Sequence, residues 1–241
     1  MEQKIRLDKL IASQGVLTRT DVKRLIKQKQ ILVNGIAAKD SGDKVNPETD
    51  EIIVSGQALN FKEHIYLMMN KPKGVVSATE DDTYKTVISY VPEMYKRPGL
   101  FPAGRLDADT TGFVLITDDG EFAHDILSPK KHIEKTYLAT LAEPLSKEDI
   151  ERLESGITLR DGTECLSSKV KVVDPDTNTV EIKIMEGKYH QVKRMFAACN
   201  NKVVELKRIA MGNLKLDESL EPGQVKELKN DQIGLIKGNK N

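Results

Sequence analysis

The residues best placed to do chemistry in this chain lie in one string, FPAGRLDADTTGFVLITDDG, residues 101–120. Pro102 and Gly104 give it loop character, Arg105-Leu106-Asp107 follows, and Thr110-Thr111-Gly112 leads into the apolar run FVLIT. A carboxylate presented from a loop that feeds a buried strand can serve as a nucleophile or a general base once ionised. An isolated GRLD also fits a turn-capping aspartate, and Asp109, Asp118 and Asp119 read as turn and cap residues. Glycoside hydrolysis would ask for two carboxylates flanking the bond, and the GRLD motif offers one. Elsewhere the four histidines (64, 124, 132 and 190) are dispersed and include no HExxH. Cys165 and Cys199 cannot build a disulfide framework, and no Cys/His pair has metal-ligand spacing. Neither GxGxxG nor a P-loop is present. The expectation is a reaction with no cofactor and no metal.

Composition bounds what must position that loop. The 241 residues are 39% hydrophobic and 31% charged, which describes a folded chain with room for two domains. No stretch approaches the ~20 apolar residues that span a bilayer, and MEQKIRLDKLIASQG lacks the apolar core of a signal peptide. A cytoplasmic protein without a membrane is expected, and, with no heptads in view, a monomer. Thirty-seven basic and thirty-seven acidic residues cancel, but they are segregated. Residues 1–30 carry eight basic against three acidic side chains, 31–60 reverse the sign, 143–176 are acidic, and 183–208 carry seven basic against two acidic. A polyanion feels the local field, screened over about 8 Å at physiological salt. Two basic blocks therefore predict two RNA-facing surfaces.

The first block lies in a compact module. Leu7, Leu10 and Ile11 form one apolar helix face, and Val22, Leu25 and Ile26 repeat it. Gly15 ends the first helix, and Thr18 with Asp21 caps the second. Arg19, Lys23 and Lys27 recur every four residues as a basic stripe. ILVNG and EIIVSG then read as short strands, the first ending in an Asn-Gly turn. With RLDKLIA, TRTDVKRLI and ILVNG in this order, the stretch resembles the S4 RNA-binding domain. That resemblance implies that Arg6, Arg19, Lys23 and Lys27 lie near phosphates. The polar bridge ALNFKEH places the boundary near residue 61, giving domains 1–60 and 61–241.

The second domain is strand-rich. IYLMMN, VVSA, FVLIT, KTYLATL, KVKVV, TVEIKIM and KVVELKRIAMG read as strands; DGEFAHDILSP, LSKEDIERLESG and YHQVKRMFAACN read as helices. Hairpins and helices both join the strands, so the class is α+β: a small α/β module, then a mixed, mainly antiparallel sheet flanked by helices.

GRLDADTTG resembles the catalytic motif of the pseudouridine synthases, and EGKYHQVKRMF (186–196) resembles the RsuA branch, which acts on small-subunit ribosomal RNA. NKPKG (70–74) and KTY (135–137) match two further motifs in the same order. The resemblance covers nearly the whole chain. It implies Asp107 as the catalytic aspartate, Tyr137 as the aromatic packed on the target base, and Lys193 as the cation paired with Asp107. Arg105 is the candidate to fill the gap left in the RNA stack, while Lys71, Lys73, His190 and Arg194 are candidate RNA contacts. The implied reaction breaks the N1–C1′ bond of uridine, turns the uracil and joins C5 to C1′. No atoms enter or leave overall, so no cofactor is needed. The implied partner is ribosomal RNA, 16S RNA or a small-subunit assembly intermediate, with large-subunit 23S RNA as an alternative target. A non-catalytic S4-type RNA binder is the alternative from another class.

Overall fold

The structure is a computed structural model and describes residues 4–238. These divide into two compact units, one of residues up to 65 with 91–100, the other of 66–90 with the chain from 101 onward. The excursion of 91–100 into the first unit is not anticipated by a single boundary near residue 61.

In the first unit, β1 (Ile5–Arg6) leads into α1 (Leu7–Ser13) and α2 (Arg19–Lys27). Short strands follow: β2 (Ile31–Val33), β3 (Ile36–Ala37), β4 (Lys44–Val45), β5 (Ile52–Val54) and β6 (Gln57–Ala58). The Thr18 hydroxyl accepts from the Asp21 amide and the Asp21 carboxylate accepts from the Thr18 amide, a complete capping box that starts α2. The two predicted apolar faces meet: Leu7, Leu10 and Ile11 pack with Val22, Leu25 and Ile26 over Ile31, Val45 and Ile52. Asn34 and Gly35 both have positive φ (52° and 77°), as a two-residue hairpin turn between β2 and β3 requires.

The second unit contains β7 (Tyr66–Lys71), β8 (Phe101–Pro102), β9 (Thr111–Thr117), α3 (Gly120–Leu127), β10 (Lys135–Leu141) and α4 (Lys147–Ser155). Then come β11 (Lys169–Asp174), β12 (Thr179–Ile184), α5 (Gln191–Ala198), β13 (Val203–Met211), β14 (Leu214–Lys215), β15 (Val225–Glu227) and α6 (Asn230–Lys237). The main sheet runs β11-β12-β10-β13-β9-β7-β15. Every neighbouring pair along it is antiparallel except β13 and β9, so the sheet is mixed and mainly antiparallel. VVSA, read as a strand, contributes only an isolated bridge between Val76 and Thr86. Its chain leaves the sheet at Pro72, which has no amide to donate.

One row of the sheet matters most for the site. Lys71 faces Gly112, Gly112 faces Arg208 across the parallel pair, and Arg208 faces Tyr137. Gly112 has φ +96°, and a Cβ there would stand 2.2 Å from the Arg208 carbonyl oxygen. Only glycine admits that approach, so the last residue of GRLDADTTG is set by backbone packing. A core of Met68, Phe113, Leu115, Phe122, Ile126, Met211 and Ile236 with neighbouring side chains anchors β7, β9, α3, β13 and α6.

Candidate active site

The loop between β8 and β9 carries Asp107, and α5 brings the residues that meet it. Lys193 Nζ donates to Asp107 Oδ2 at 2.8 Å and to Asp109 Oδ1 at 2.6 Å. On the other side of the carboxylate, His190 Nε2 stands 3.3 Å from Asp107 Oδ1. A cleft around the acid is lined by Arg105, Leu106 and Thr110 of its own loop, Tyr137 of β10, Ile184 of β12, Leu206 of β13 and the start of α5. Tyr137 is buried there, 8% exposed.

The electrostatics favour charged partners. Burial would lower the Lys193 pKa, but its hydrogen bonds to Asp107 and Asp109 outweigh that and hold it above the ordinary lysine value. The same hydrogen bond keeps the Asp109 carboxyl below the usual carboxylate range. Asp109 therefore has a larger part than the turn residue read from sequence: it is the second acceptor of the site's lysine.

Lys71 is a correction. Expected among the RNA contacts, it is 0% exposed, and its ammonium donates to the carbonyls of Pro72, Ala108 and Thr110 at 3.1, 3.2 and 2.8 Å. It is a tie from β7 into the loop that carries Asp107, and burial pushes its pKa down to about 8. Lys73, two residues on, is exposed. Lys135 is likewise buried, with its pKa lowered to about 8 by desolvation and then by the charge of Arg208. Arg208 itself is 2% exposed and donates from Nε to the Phe113 carbonyl at 2.8 Å. Neither burial is visible in the sequence; in the structure Lys135 and Arg208 are buried, as are Tyr137 and Leu206, two residues away on β10 and β13.

The second basic block is largely neutralised within the fold. Lys183 pairs with Glu134, Lys188 with Glu186, Lys193 with Asp107 and Asp109, and Arg194 with Asp161. Arg194 also donates to the Tyr189 carbonyl, a structural engagement where a free RNA contact was expected. Charge counted along a sequence overstates the field when carboxylates arrive from other elements. Arg105 is exposed at the mouth of the cleft. In the first unit Arg19, Lys23 and Lys27 are all exposed, whereas Arg6 makes a two-bond pair with the buried Asp8 (3.0 and 2.9 Å). That hydrogen-bonded pair holds Asp8 below its ordinary pKa. Among the described residues no group of three or more His, Cys, Asp and Glu is arranged to hold a metal, and no helix is long and apolar enough to cross a membrane.

An acid held by a lysine and flanked by a histidine beside a buried tyrosine, on a mixed sheet joined to an S4-like unit, defines an RNA-modifying enzyme built around one carboxylate. The RNA pseudouridylate synthase family matches residues 65–198, and the S4 domain matches residues 5–52. The chain is 45% identical over 234 residues to a Bacillus subtilis (strain 168) protein named "Uncharacterized RNA pseudouridine synthase YtzG", covering 96% of this chain and 98% of that one. It is 44% identical to "Ribosomal small subunit pseudouridine synthase A" of Haemophilus influenzae, covering 95% and 98%, and 40% identical to the protein of that name in Escherichia coli (strain K12), covering 96% and 100%. A solved structure titled "Crystal structure of pseudouridylate synthase" aligns with a TM-score of 0.66 at 41% identity, covering 96% of this chain and 99% of that one. The chain belongs to the RNA pseudouridylate synthase family, with an S4 domain at its N-terminal end.

Proposed function

We propose that this protein isomerises a uridine of small-subunit ribosomal RNA to pseudouridine, as a cytoplasmic monomer, with Asp107 as the catalytic carboxylate. The observation that carries the reading is the placement of Asp107: in a cleft, hydrogen-bonded to Lys193, flanked by His190 and near Tyr137. The names of the relatives, matched over almost the entire chain, supply the substrate class.

The chemistry follows from those groups. A uridine in a stacked helix hides its C1′, so the nucleotide is extruded, at a cost of a few kcal/mol. Arg105, exposed beside the cleft, can occupy the vacated space, and Tyr137 can pack on the turned base, offsetting part of that cost. Asp107 then attacks C1′ or removes the C2′ proton, and either step needs the ionised carboxylate. Lys193 stabilises that form by donating to it. Once the N1–C1′ bond is broken, the uracil turns and C5 bonds to C1′, displacing the Asp107 carboxylate in the first route or, in the second, with Asp107 returning the proton to C2′; the C5 proton is then lost and N1 gains one. Tyr137, which lines the same cleft, takes the part of helping to remove the C5 proton in this reading. Arg19, Lys23 and Lys27 of the S4 unit, joined by Arg6 and Lys73, contact phosphates and set affinity without sequence preference.

Tritium release from RNA labelled at uridine C5 tests the reading. The wild type should release tritium, and primer extension after carbodiimide treatment should place the product in 16S RNA. Asp107→Asn should release none above background while binding the RNA within about threefold of wild type, since one uncharged isostere leaves the phosphate contacts intact. An active Asp107→Asn variant would overturn the assignment.

A further inference from the structure

Tyr189 is 76% exposed, yet its ring is held in place. It lies on the His190 imidazole with centroids 3.8 Å apart and planes inclined by 18°. His190, its stacking partner, has a left-handed backbone (φ +48°), and its Nε2 lies 3.3 Å from Asp107 Oδ1. The Tyr189 carbonyl accepts from Arg194 Nη1 at 3.2 Å, and Arg194 is itself paired with Asp161. The imidazole thus touches both the Asp107 carboxylate and the phenol ring.

A preformed aromatic surface open to solvent binds what aromatic faces bind in water: another flat, weakly hydrated π system. In RNA that group is a nucleobase, and any base can stack on it. A uridine drawn into the cleft brings its neighbours in the strand to the cleft's rim, about one nucleotide away. We propose that Tyr189, its ring backed by His190 and its backbone carbonyl held by Arg194, is a stacking platform for a nucleobase adjacent to the target uridine. This rests on the assignment of Asp107 as the acid that receives the uridine. The platform uses the ring face, so the hydroxyl is dispensable and phenylalanine should replace tyrosine.

The test uses the full chain and a short uridine-rich single-stranded RNA carrying one 2-aminopurine, whose fluorescence is quenched when it stacks. The wild type and Tyr189→Phe should quench the probe on binding; Tyr189→Leu should not, at equal saturation and with an unchanged melting temperature. On ribosomal RNA substrate, Tyr189→Leu should raise KM roughly tenfold while kcat stays within about twofold. A leucine variant that quenches like wild type overturns the platform, as does one that loses kcat with KM unchanged, which would put Tyr189 in the chemistry through His190. The quench is read on binding alone. If it behaves as expected while the wild type releases no tritium, the isomerase reading fails, and with it the placement of the stacked base beside a target uridine; Tyr189 is then a base-stacking surface only.

Discussion

At Lys193 one ammonium serves two carboxylates, and the sharing has a use. If Asp107 loses its charge during the reaction, by forming a bond to C1′ or taking up a proton, Lys193 still has Asp109 at 2.6 Å to hold it in the cleft. Lys71 does a different job with the same side chain. Its charge is fully buried and satisfied by three carbonyls, so it fixes the loop at a cost in desolvation. That cost makes a pH prediction. An ordinary lysine titrates near 10.5, and Lys71 in the fold near 8. Between those values the unfolded chain holds a proton that the folded chain has released, so stability rises with pH across this window. At full size one such lysine contributes on the order of 3 kcal/mol, and Lys135 adds to the same slope. The buried Cys199 thiol, raised to about 11, opposes it above pH 9. Urea denaturation of wild type and Lys71→Met between pH 7.5 and 10 isolates the term: the wild-type curve should climb more steeply, and parallel curves would refute the assignment. None of this was legible in NKPKG, because burial of a lysine is decided by what the sheet stacks over it. The Asp107–Lys193 pair, by contrast, joins residues 86 positions apart; spacing alone could not connect them, and family resemblance did.

The elements that position the site depend on one close approach. Gly112 sits where β9 runs parallel to β13, with the Arg208 backbone 2.2 Å from where a Cβ would be. Gly112→Ala would have to adopt φ +96° and push β13 away, moving Arg208 and the Tyr137 row with it. The expected loss is roughly 3 kcal/mol or more of stability, read as a lower urea midpoint, with activity falling further than the unfolded fraction explains. An alanine variant as stable as wild type would show that the two strands can part without harm. The strands that make this junction were readable because β7, β9, β10, β12 and β13 are apolar or alternating runs of at least six residues. The helices α1, α2 and α4 were readable because an apolar face coincides with a capping Thr or Ser, or a terminal Gly. Elements without such signals escaped. In α6, the run NDQIGLIK has a glycine in its middle and little amphipathic contrast, so its helicity comes from packing Ile233 and Ile236 into the core. β8, β14 and β15, at two or three residues each, are fixed by their partners and not by their own pattern.

For the molecule as a whole, a formal charge of zero conceals how differently its two basic blocks are used. In the second unit the cations of 183–208 are largely paired with carboxylates or buried, so they organise the cleft more than they attract RNA. In the first unit Arg19, Lys23 and Lys27 are exposed on α2, and the capping Asp21 is taken by Thr18 and Arg24. Affinity for RNA should therefore be carried disproportionately by that stripe. Each phosphate contact releases condensed counterions, with a slope of about −0.7 per contact in log K against log salt for single strands. Replacing Arg19, Lys23 and Lys27 together by alanine should thus flatten the slope by roughly 2 and weaken binding at low salt. At saturating RNA, tritium release should persist, because no residue of the Asp107 cleft has been altered. Filter binding from 50 to 300 mM salt, paired with single-turnover release, checks both parts. An unchanged slope would move the phosphate contacts off α2, and loss of release at saturation would mean that the S4 unit does more than hold the RNA.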